Sequence, residues 1–160
     1  EGRVLAHHAR AMSLYPDNYH DMLVELLKET QVGIVTDPHT GPLHVRVQNL
    51  LDNDVLVCLG QDDISDAYYP YGHNNMLEVA FLASHLLWMT TAADMDVLYD
   101  MITSKAAQAI GLKDYGLQVG NDASLVVLDV PNVIEAFRFH RLPKYVIHNG
   151  KLIAEDGNIL

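Results

Sequence analysis

The sequence has little positive charge, a single cysteine and no long hydrophobic run, and each shortage excludes a class of protein. Ten Lys and Arg stand against 21 Asp and Glu, which gives a net charge of −11. That balance argues against nucleic acid or an anionic membrane as partner, because both require a basic face. The lone Cys58 cannot form an internal disulfide and favours a reducing compartment. No apolar run approaches the roughly 20 residues that cross a bilayer, so we expect a soluble, cytoplasmic chain.

Apolar segments alternate between strand and helix patterns through the first two thirds of the chain. At 160 residues and 49% hydrophobic content, the chain is long enough for one globular core. Strand, helix, strand alternation of this kind predicts βαβ units and a parallel sheet. The predicted strands are GRVLAHHA, VGIVT and VLVCLG. The predicted helices are YHDMLVELLKET, in which Met22, Leu23, Leu26 and Leu27 share an apolar stripe, PLHVRVQNLLDND, about 74–89 and about 93–110, the last preceded by Thr90-Thr91, which offer N-caps.

The composition changes after Leu112, which divides the chain into a βα part (residues 1–112) and a β-rich part (residues 113–160). Short strands separated by glycines are predicted in GLQVGNDASLVVLD, and a short helix in NVIEAFRFH. Asn149-Gly150 lies between two strand runs, and Asn-Gly is among the strongest hairpin signals in short segments. We therefore expect an α/β fold followed by a small β-rich segment.

Polar clusters stand at the ends of the three predicted strands: His7-His8, then TDPHTGP, then GQDD. Carboxyl ends of parallel strands meet at one edge, where α/β proteins place their chemistry. A histidine from one strand and an aspartate from another suit a divalent metal and a water that the metal activates. The alternative is that Asp62 or Asp63 merely caps the next segment. The pattern alone leaves both interpretations open.

Longer segments point to a family. GRVLAHHARAM, VLVCLGQDDISDAYYPYGHNNMLEVAFLASH, DMITSKAAQAIGLKDYGLQVGNDASLVVLD and VIHNGKLIAE resemble the C-terminal half of cytosine deaminase and its relatives in the amidohydrolase superfamily. The resemblance implies a (β/α)8 barrel of the TIM type with a small β-sandwich beside it. On that template the chain supplies about the last three barrel strands and the C-terminal part of the sandwich.

The same resemblance implies roles for single residues. His8 corresponds to a sixth-strand histidine that contacts the metal-bound hydroxide and the substrate, whereas His7 should face outward. Asp62 corresponds to the eighth-strand aspartate that ligates the metal and carries the proton to the leaving amine.

Substrate contacts are implied for two further residues. Asp63 corresponds to a neighbour that touches the substrate ring, and Tyr68 stands where the best-known bacterial enzyme has a tryptophan against the ring. Gln61 replaces that enzyme's histidine. These differences make cytosine itself doubtful and leave a purine, pterin, triazine or other cyclic amidine open.

Much of the family's site is missing from this sequence. The first-strand HxH pair and the fifth-strand His with its nearby Glu are absent, so three of the four implied metal ligands are lacking. We therefore expect a fragment or split gene product that needs the N-terminal half of the barrel, or another copy. The chain alone should bind the single divalent ion, zinc or iron, poorly and should be inactive.

The predicted function of the complete protein is hydrolytic deamination of an amino-substituted heterocycle of cytosine type, with release of ammonia. The alternative from a different class is a non-catalytic scaffold or subunit that retains the barrel architecture.

Overall fold

Two separate sheets organise the chain, one parallel and one antiparallel. A computed structural model describes residues 4–67 and 69–160. The described elements are β1 (Leu5–His7), α1 (Asp17–Thr30), β2 (Gly33–Thr36), α2 (Val47–Asp52), β3 (Val57–Leu59), α3 (Met76–Leu86), α4 (Ala92–Ile102), α5 (Ser104–Ala109), β4 (Leu125–Val127), α6 (Val133–Phe139), β5 (Tyr145–His148), β6 (Lys151–Glu155) and β7 (Asn158–Ile159). Short 3₁₀ helices follow β1 at Arg10–Leu14 and β2 at Pro38–Thr40.

The predicted parallel sheet is confirmed, in the order β1-β2-β3. Parallel pairing extends beyond the strand ends, because the His8 amide donates to the Val35 carbonyl and the Gly60 amide donates to the Thr36 carbonyl, both at 2.9 Å. All three chains therefore leave the sheet at the same edge. The residues that follow each strand are brought together there.

Helix α1 begins and ends close to the predicted bounds, but its buried face differs from the predicted stripe. His20, Val24 and Leu27 are buried, a spacing of i, i+4 and i+7 that places them on one side of the helix. Met22 and Leu26, which the pattern assigned to the buried stripe, are 58% and 51% exposed. The apolar residues of this helix are thus divided between two faces.

Helix α2 is shorter than predicted. The segment PLHVR (42–46) stays non-helical, since Pro42 and the β-branched Val45 disfavour a helix. Arg46 also holds this segment in place, because it donates to the Asp17 carboxylate at 2.7 Å and to the Tyr15 carbonyl at 2.6 Å. The helix begins only after that anchor.

The predicted long helix over 93–110 is two helices, α4 and α5, separated at Thr103. Its backbone has φ −125° and ψ −94°, and its hydroxyl donates to the Tyr99 carbonyl at 2.7 Å. The predicted N-cap is confirmed at Thr91, whose side chain accepts from the Asp94 amide while the Asp94 carboxylate accepts from the Thr91 amide. Helices α4 and α5 both contact β3.

The β-rich part forms an antiparallel sheet in the order β4-β5-β6-β7. The predicted hairpin is confirmed: Asn149 and Gly150 join β5 to β6 with φ values of 48° and 75°. Residues 113–124 contain no strand, contrary to the expectation from their glycines. Within the described residues, no helix is long and apolar enough to cross a membrane.

Candidate functional site

The carboxyl edge of the parallel sheet gathers three potential metal ligands. His8 follows β1, Asp37 follows β2 and Asp62 follows β3, and one ligand atom of each lies within 4.8 Å of the others. His8 and Asp62 are 43% and 38% exposed, whereas Asp37 is 5% exposed. The site therefore has a buried floor formed by Asp37 and an open mouth.

A cavity of about 430 Å³ opens at this edge, lined by His8, Arg10, Asp62 and Asp63. That volume lies in the range of small-molecule sites. His7 is exposed and does not line it. A larger cavity of about 700 Å³, mostly apolar, lies between α4, α5 and the antiparallel sheet. We place the site at the smaller cavity, because two carboxylates and the His8 imidazole converge there, the one such cluster found among the residues that the structure describes.

His8 is the central side chain of the cluster. Its Nδ1 donates to Asp37 Oδ1 at 2.7 Å, and its Nε2 lies 4.0 Å from Asp62 Oδ2. The second contact is too long for a hydrogen bond. A third group lying to one side of this pair could contact both atoms.

Asp63 stands beside Asp62 in an acidic environment. Burial raises the pKa of the Asp63 carboxyl above its usual value, and a hydrogen bond with Asp66 raises it further. The negative charges of Asp62, Asp66 and Asp37 act in the same direction. A cation or an N–H donor entering the cavity would relieve this repulsion.

The loop that carries both aspartates is held by its neighbours. The Gln61 amide donates to the Asp63 carbonyl at 3.2 Å, and His39 Nε2 donates to the Gln61 carbonyl at 3.0 Å. A Cβ at Gly72 would lie 2.9 Å from the Asp63 carbonyl oxygen. The glycine of the YPYG segment is therefore required for close packing of this loop.

Aromatic rings pack beside the loop that carries Asp62 and Asp63. The His39 ring packs edge-on against Tyr69 with 5.2 Å between ring centroids, and Tyr69 packs edge-on against Tyr71 at 5.9 Å. Tyr68, the predicted substrate-facing ring, lies outside the described residues.

Three residues of the site were not singled out from the sequence. Asp37 and Thr40 belong to the TDPHTGP cluster, but its residue types did not show which of them would enter the site. Arg10 lies only two residues beyond His8, yet nothing in its sequence context predicted that it would reach the loop after β2. Its Nη2 lies 2.9 Å from Asp37 Oδ2.

Comparison with known proteins identifies the family to which the chain belongs. A model of the amidohydrolase family matches residues 1–154, so the chain belongs to the amidohydrolase family. It is 31% identical over 161 aligned residues to an N-isopropylammelide isopropyl amidohydrolase of a Pseudomonas species (strain ADP), with 100% of this chain and 40% of that protein covered.

Two solved structures are also similar. An N-isopropylammelide isopropylaminohydrolase from Burkholderia multivorans superposes with a TM-score of 0.93 at 27% identity, with coverage of 100% of this chain and 41% of that one. A 5-methylcytosine deaminase from Klebsiella pneumoniae, liganded with 5-fluorocytosine, gives a TM-score of 0.88 at 30% identity, with coverage of 99% and 42%. The chain thus spans about 40% of the length of these relatives.

Proposed function

We propose that the chain forms part of a metal-dependent aminohydrolase that deaminates an amino-substituted heterocycle of cytosine type and releases ammonia. The observation that carries the proposal is the 4.0 Å separation of His8 Nε2 and Asp62 Oδ2 at the carboxyl edge of a parallel sheet. The similarity to a 5-methylcytosine deaminase supports a pyrimidine-like substrate. In this proposal β1, β2 and β3 are strands of a (β/α)8 barrel, and β4–β7 belong to the adjoining sandwich.

The donor set fits one side of a divalent metal site. Of the two carboxylates nearest His8, Asp62 is the more exposed, and Asp37 already accepts from His8, Arg10 and Thr40. Asp62 would therefore hold the ion, and ligands from outside this chain would complete the site. When bound, a zinc or iron ion lowers the pKa of a coordinated water and supplies a nucleophile near neutral pH.

The chain's own residues would position the substrate and move protons. His8 Nε2 faces the space beside Asp62, where it can orient the reacting groups by hydrogen bonding. Asp62 would also carry a proton to the leaving amine. Asp63, on the same cavity wall, would accept a hydrogen bond from a ring N–H or exocyclic amine. Tyr68 would cover a ring face.

A substituted amine is the second candidate for the leaving group. Two similar proteins are named for removal of an isopropylamino group from a triazine, and one of them has the TM-score of 0.93. The bond broken is the same type of ring carbon–nitrogen bond. The two candidates differ in the ring, which is pyrimidine-like or a triazine, and in whether ammonia or an alkylamine is released.

The full-length protein that contains this chain provides the test. Its metal content and its release of ammonia or alkylamine should be measured on aminated pyrimidines and on alkylamino-triazines. We expect about one divalent ion per complete site and turnover of at least one of these substrates. Removal of the ion by a chelator should abolish turnover, and restoration with zinc or iron separately should identify the metal. A protein with neither metal nor turnover would instead support the non-catalytic scaffold.

A further inference from the structure

Asp37 is a buried carboxylate with an unusually full set of donors. Its Oδ1 accepts from His8 Nδ1 at 2.7 Å, and its Oδ2 accepts from Arg10 Nη2 at 2.9 Å and from the Thr40 hydroxyl. Arg10 also donates to the Thr40 hydroxyl oxygen at 2.5 Å. A carboxylate that is 5% exposed requires such partners, because an unpaired buried charge is strongly unfavourable.

The charge state of Asp37 follows from this environment. Burial opposes ionisation, but the hydrogen bonds from Thr40 and His8 and the charges of His8 and Arg10 outweigh it, so the pKa of Asp37 lies below its usual value. An ionised carboxylate can only accept hydrogen bonds. The proton in the His8–Asp37 bond therefore resides on His8 Nδ1, and Nε2 is the ring atom directed toward Asp62.

Asp37 is poorly suited to bind the metal itself, although it lies within reach. An ion at Asp37 would have to displace the guanidinium of Arg10 or the imidazole of His8, and both already satisfy its oxygens. Within the described part of the chain, Asp62 pairs with no arginine or lysine, and it lies at the open mouth of the cavity. Of the three residues in the cluster, Asp62 is thus suited to bind the metal, whereas Asp37 is suited to orient His8.

Close packing at Gly41 is separate evidence that the guanidinium of Arg10 occupies a fixed position. A Cβ at Gly41 would lie 3.0 Å from Arg10 Nη1 and 3.3 Å from Cζ. The backbone of Gly41 has φ 172°, an extended conformation that any residue adopts. The guanidinium, and not the backbone, therefore accounts for the glycine at this position.

We infer that Asp37 is a positioning residue for the proposed reaction and acts through His8. Arg10, which packs against Gly41, holds Asp37 in place. The inference rests on the proposed function for its effect on turnover. The structural part of the inference, that a proton resides on His8 Nδ1, can be tested without measuring turnover. Partners of this kind that orient a histidine typically contribute 10- to 100-fold in activity.

A double-mutant cycle in the full-length enzyme tests the effect on turnover. Asp37→Asn should lower kcat by about 10- to 100-fold with KM little changed and with the bound metal retained. In a His8→Asn background, the same substitution should cost less than threefold. A loss of bound metal in Asp37→Asn would make Asp37 a ligand and overturn the inference. Equal losses in both backgrounds would also overturn it, because they would show a role independent of His8.

The ring ¹⁵N shifts of His8 give a readout that does not require activity. The His8 signals are assigned by their disappearance in His8→Asn. Wild-type protein should show a protonated Nδ1, and Asp37→Asn should shift the ring toward the other tautomer. Failure of the proposed function would appear as no turnover with these shifts intact. Failure of this inference would appear as unchanged shifts in Asp37→Asn.

Gly41→Ala is a gentler variant should Asp37→Asn fold poorly. The added methyl crowds the guanidinium and should move the His8 shifts in the same direction as Arg10→Lys. Gly33→Ala is the matched control, since its Cβ would also meet the end of a side chain, Leu5 Cδ2 at 2.8 Å, but at the start of β2 and away from this network. The His8 shifts should be unchanged in Gly33→Ala. Equal changes of the His8 shifts in both alanine variants would contradict a specific role for the packing of Arg10 against Gly41.

Discussion

His8 Nε2 and Asp62 Oδ2 lie 4.0 Å apart across the carboxyl edge of the parallel sheet, one following β1 and the other following β3. A direct hydrogen bond would bring them to about 3 Å. A separation near 4 Å instead suits two groups that share a third group between them.

Replacement of Asp62 by alanine should abolish turnover in the full-length protein and reduce its metal content, because the proposed ligand is lost. Asp54→Ala is the matched control, since Asp54 and Asp62 have nearly the same left-handed backbone, with φ values of 59° and 60°. The backbone cost of alanine at positive φ is then similar in both variants. Metal analysis, turnover and thermal unfolding should be measured together. Near-wild-type activity in Asp62→Ala would refute the assignment.

Replacement of His8 by asparagine should slow turnover by a factor on the order of 10² to 10⁴, the range for a positioned acid–base group. Asparagine suits the position because it tolerates the φ of 61° found at His8. His7→Asn should change turnover little, since His7 is exposed on β1 and does not line the cavity. Equal effects of the two substitutions on kcat would show that the wrong histidine has been placed in the site.

Substitution of Asp63 should alter which heterocycle is preferred more than it alters the maximal rate. A pocket that accepts a hydrogen bond from a substrate N–H discriminates against analogues that lack the N–H. Asp63→Asn retains the size of the side chain but replaces one acceptor with a donor. The ratio of kcat/KM across aminated pyrimidines and alkylamino-triazines should therefore change order, with Tyr68→Phe and Tyr68→Ala compared in parallel. An unchanged order in all variants would remove these residues from the substrate pocket.

Local patterns predicted the features whose stabilisation is local. The runs VGIVT and VLVCLG contain β2 and β3. Every residue of β3 is buried and apolar, as its sequence predicts. Asn149-Gly150 became a hairpin turn because both residues adopt positive φ readily. Thr91 became an N-cap through side chain and backbone contacts within one turn.

Features decided by distant contacts were not predictable in the same way. The late start of α2 depends on Arg46 reaching Asp17, which lies 29 residues away in the sequence. In the site, strand-end logic brought His8 and Asp62 to one edge. The same reasoning did not predict the contact between Arg10 and Asp37, since that contact depends on the conformation of the loop after β2.

The capping box of α4 should make a measurable, pH-dependent contribution to stability. Thr91→Ala should destabilise the protein by about 1 kcal/mol at neutral pH, because the Asp94 amide loses its acceptor. Thr90→Ala is the matched control, since it preserves the backbone amide and leaves the Thr91 hydroxyl in place. Chemical denaturation of both variants against wild type measures the difference. A Thr91→Ala variant no less stable than Thr90→Ala would show that the cap contributes nothing.

The sign of its pH dependence follows from Asp94. Hydrogen bonds from the Thr91 side chain and backbone lower the pKa of the Asp94 carboxyl, against a small opposing effect of burial, with the Thr90 backbone adding to the lowering. Because the pKa of Asp94 is lower in the folded protein, its carboxylate stabilises the folded state at pH values above the unfolded pKa of 3.8. This stabilisation is lost as the pH falls through the pKa of the folded protein. The gap between Thr91→Ala and wild type should therefore narrow below about pH 4.

The 160-residue chain produced alone should associate with itself or with a complementary N-terminal polypeptide. Among the described residues, β1 and β3 each pair with β2 only, so each has one edge without a strand neighbour. Helix α1 also presents apolar side chains to solvent, with Tyr19, Met22 and Leu26 exposed by 46%, 58% and 51%. Unpaired strand edges and apolar patches of this kind promote association.

Size-exclusion chromatography with light scattering measures this association directly, and a release assay for ammonia and alkylamine should accompany it. We expect a dimer or larger species with little bound metal and no turnover. Tyr19→Lys, Met22→Lys and Leu26→Lys together should shift the population toward monomer if the α1 face contributes. Asp21→Asn, Glu25→Gln and Glu29→Gln together control for the altered charge, because they also make the net charge more positive by one unit per site. A wild-type chain that is monomeric and turns over substrate alone would contradict both the expected association and the need for ligands from outside this chain.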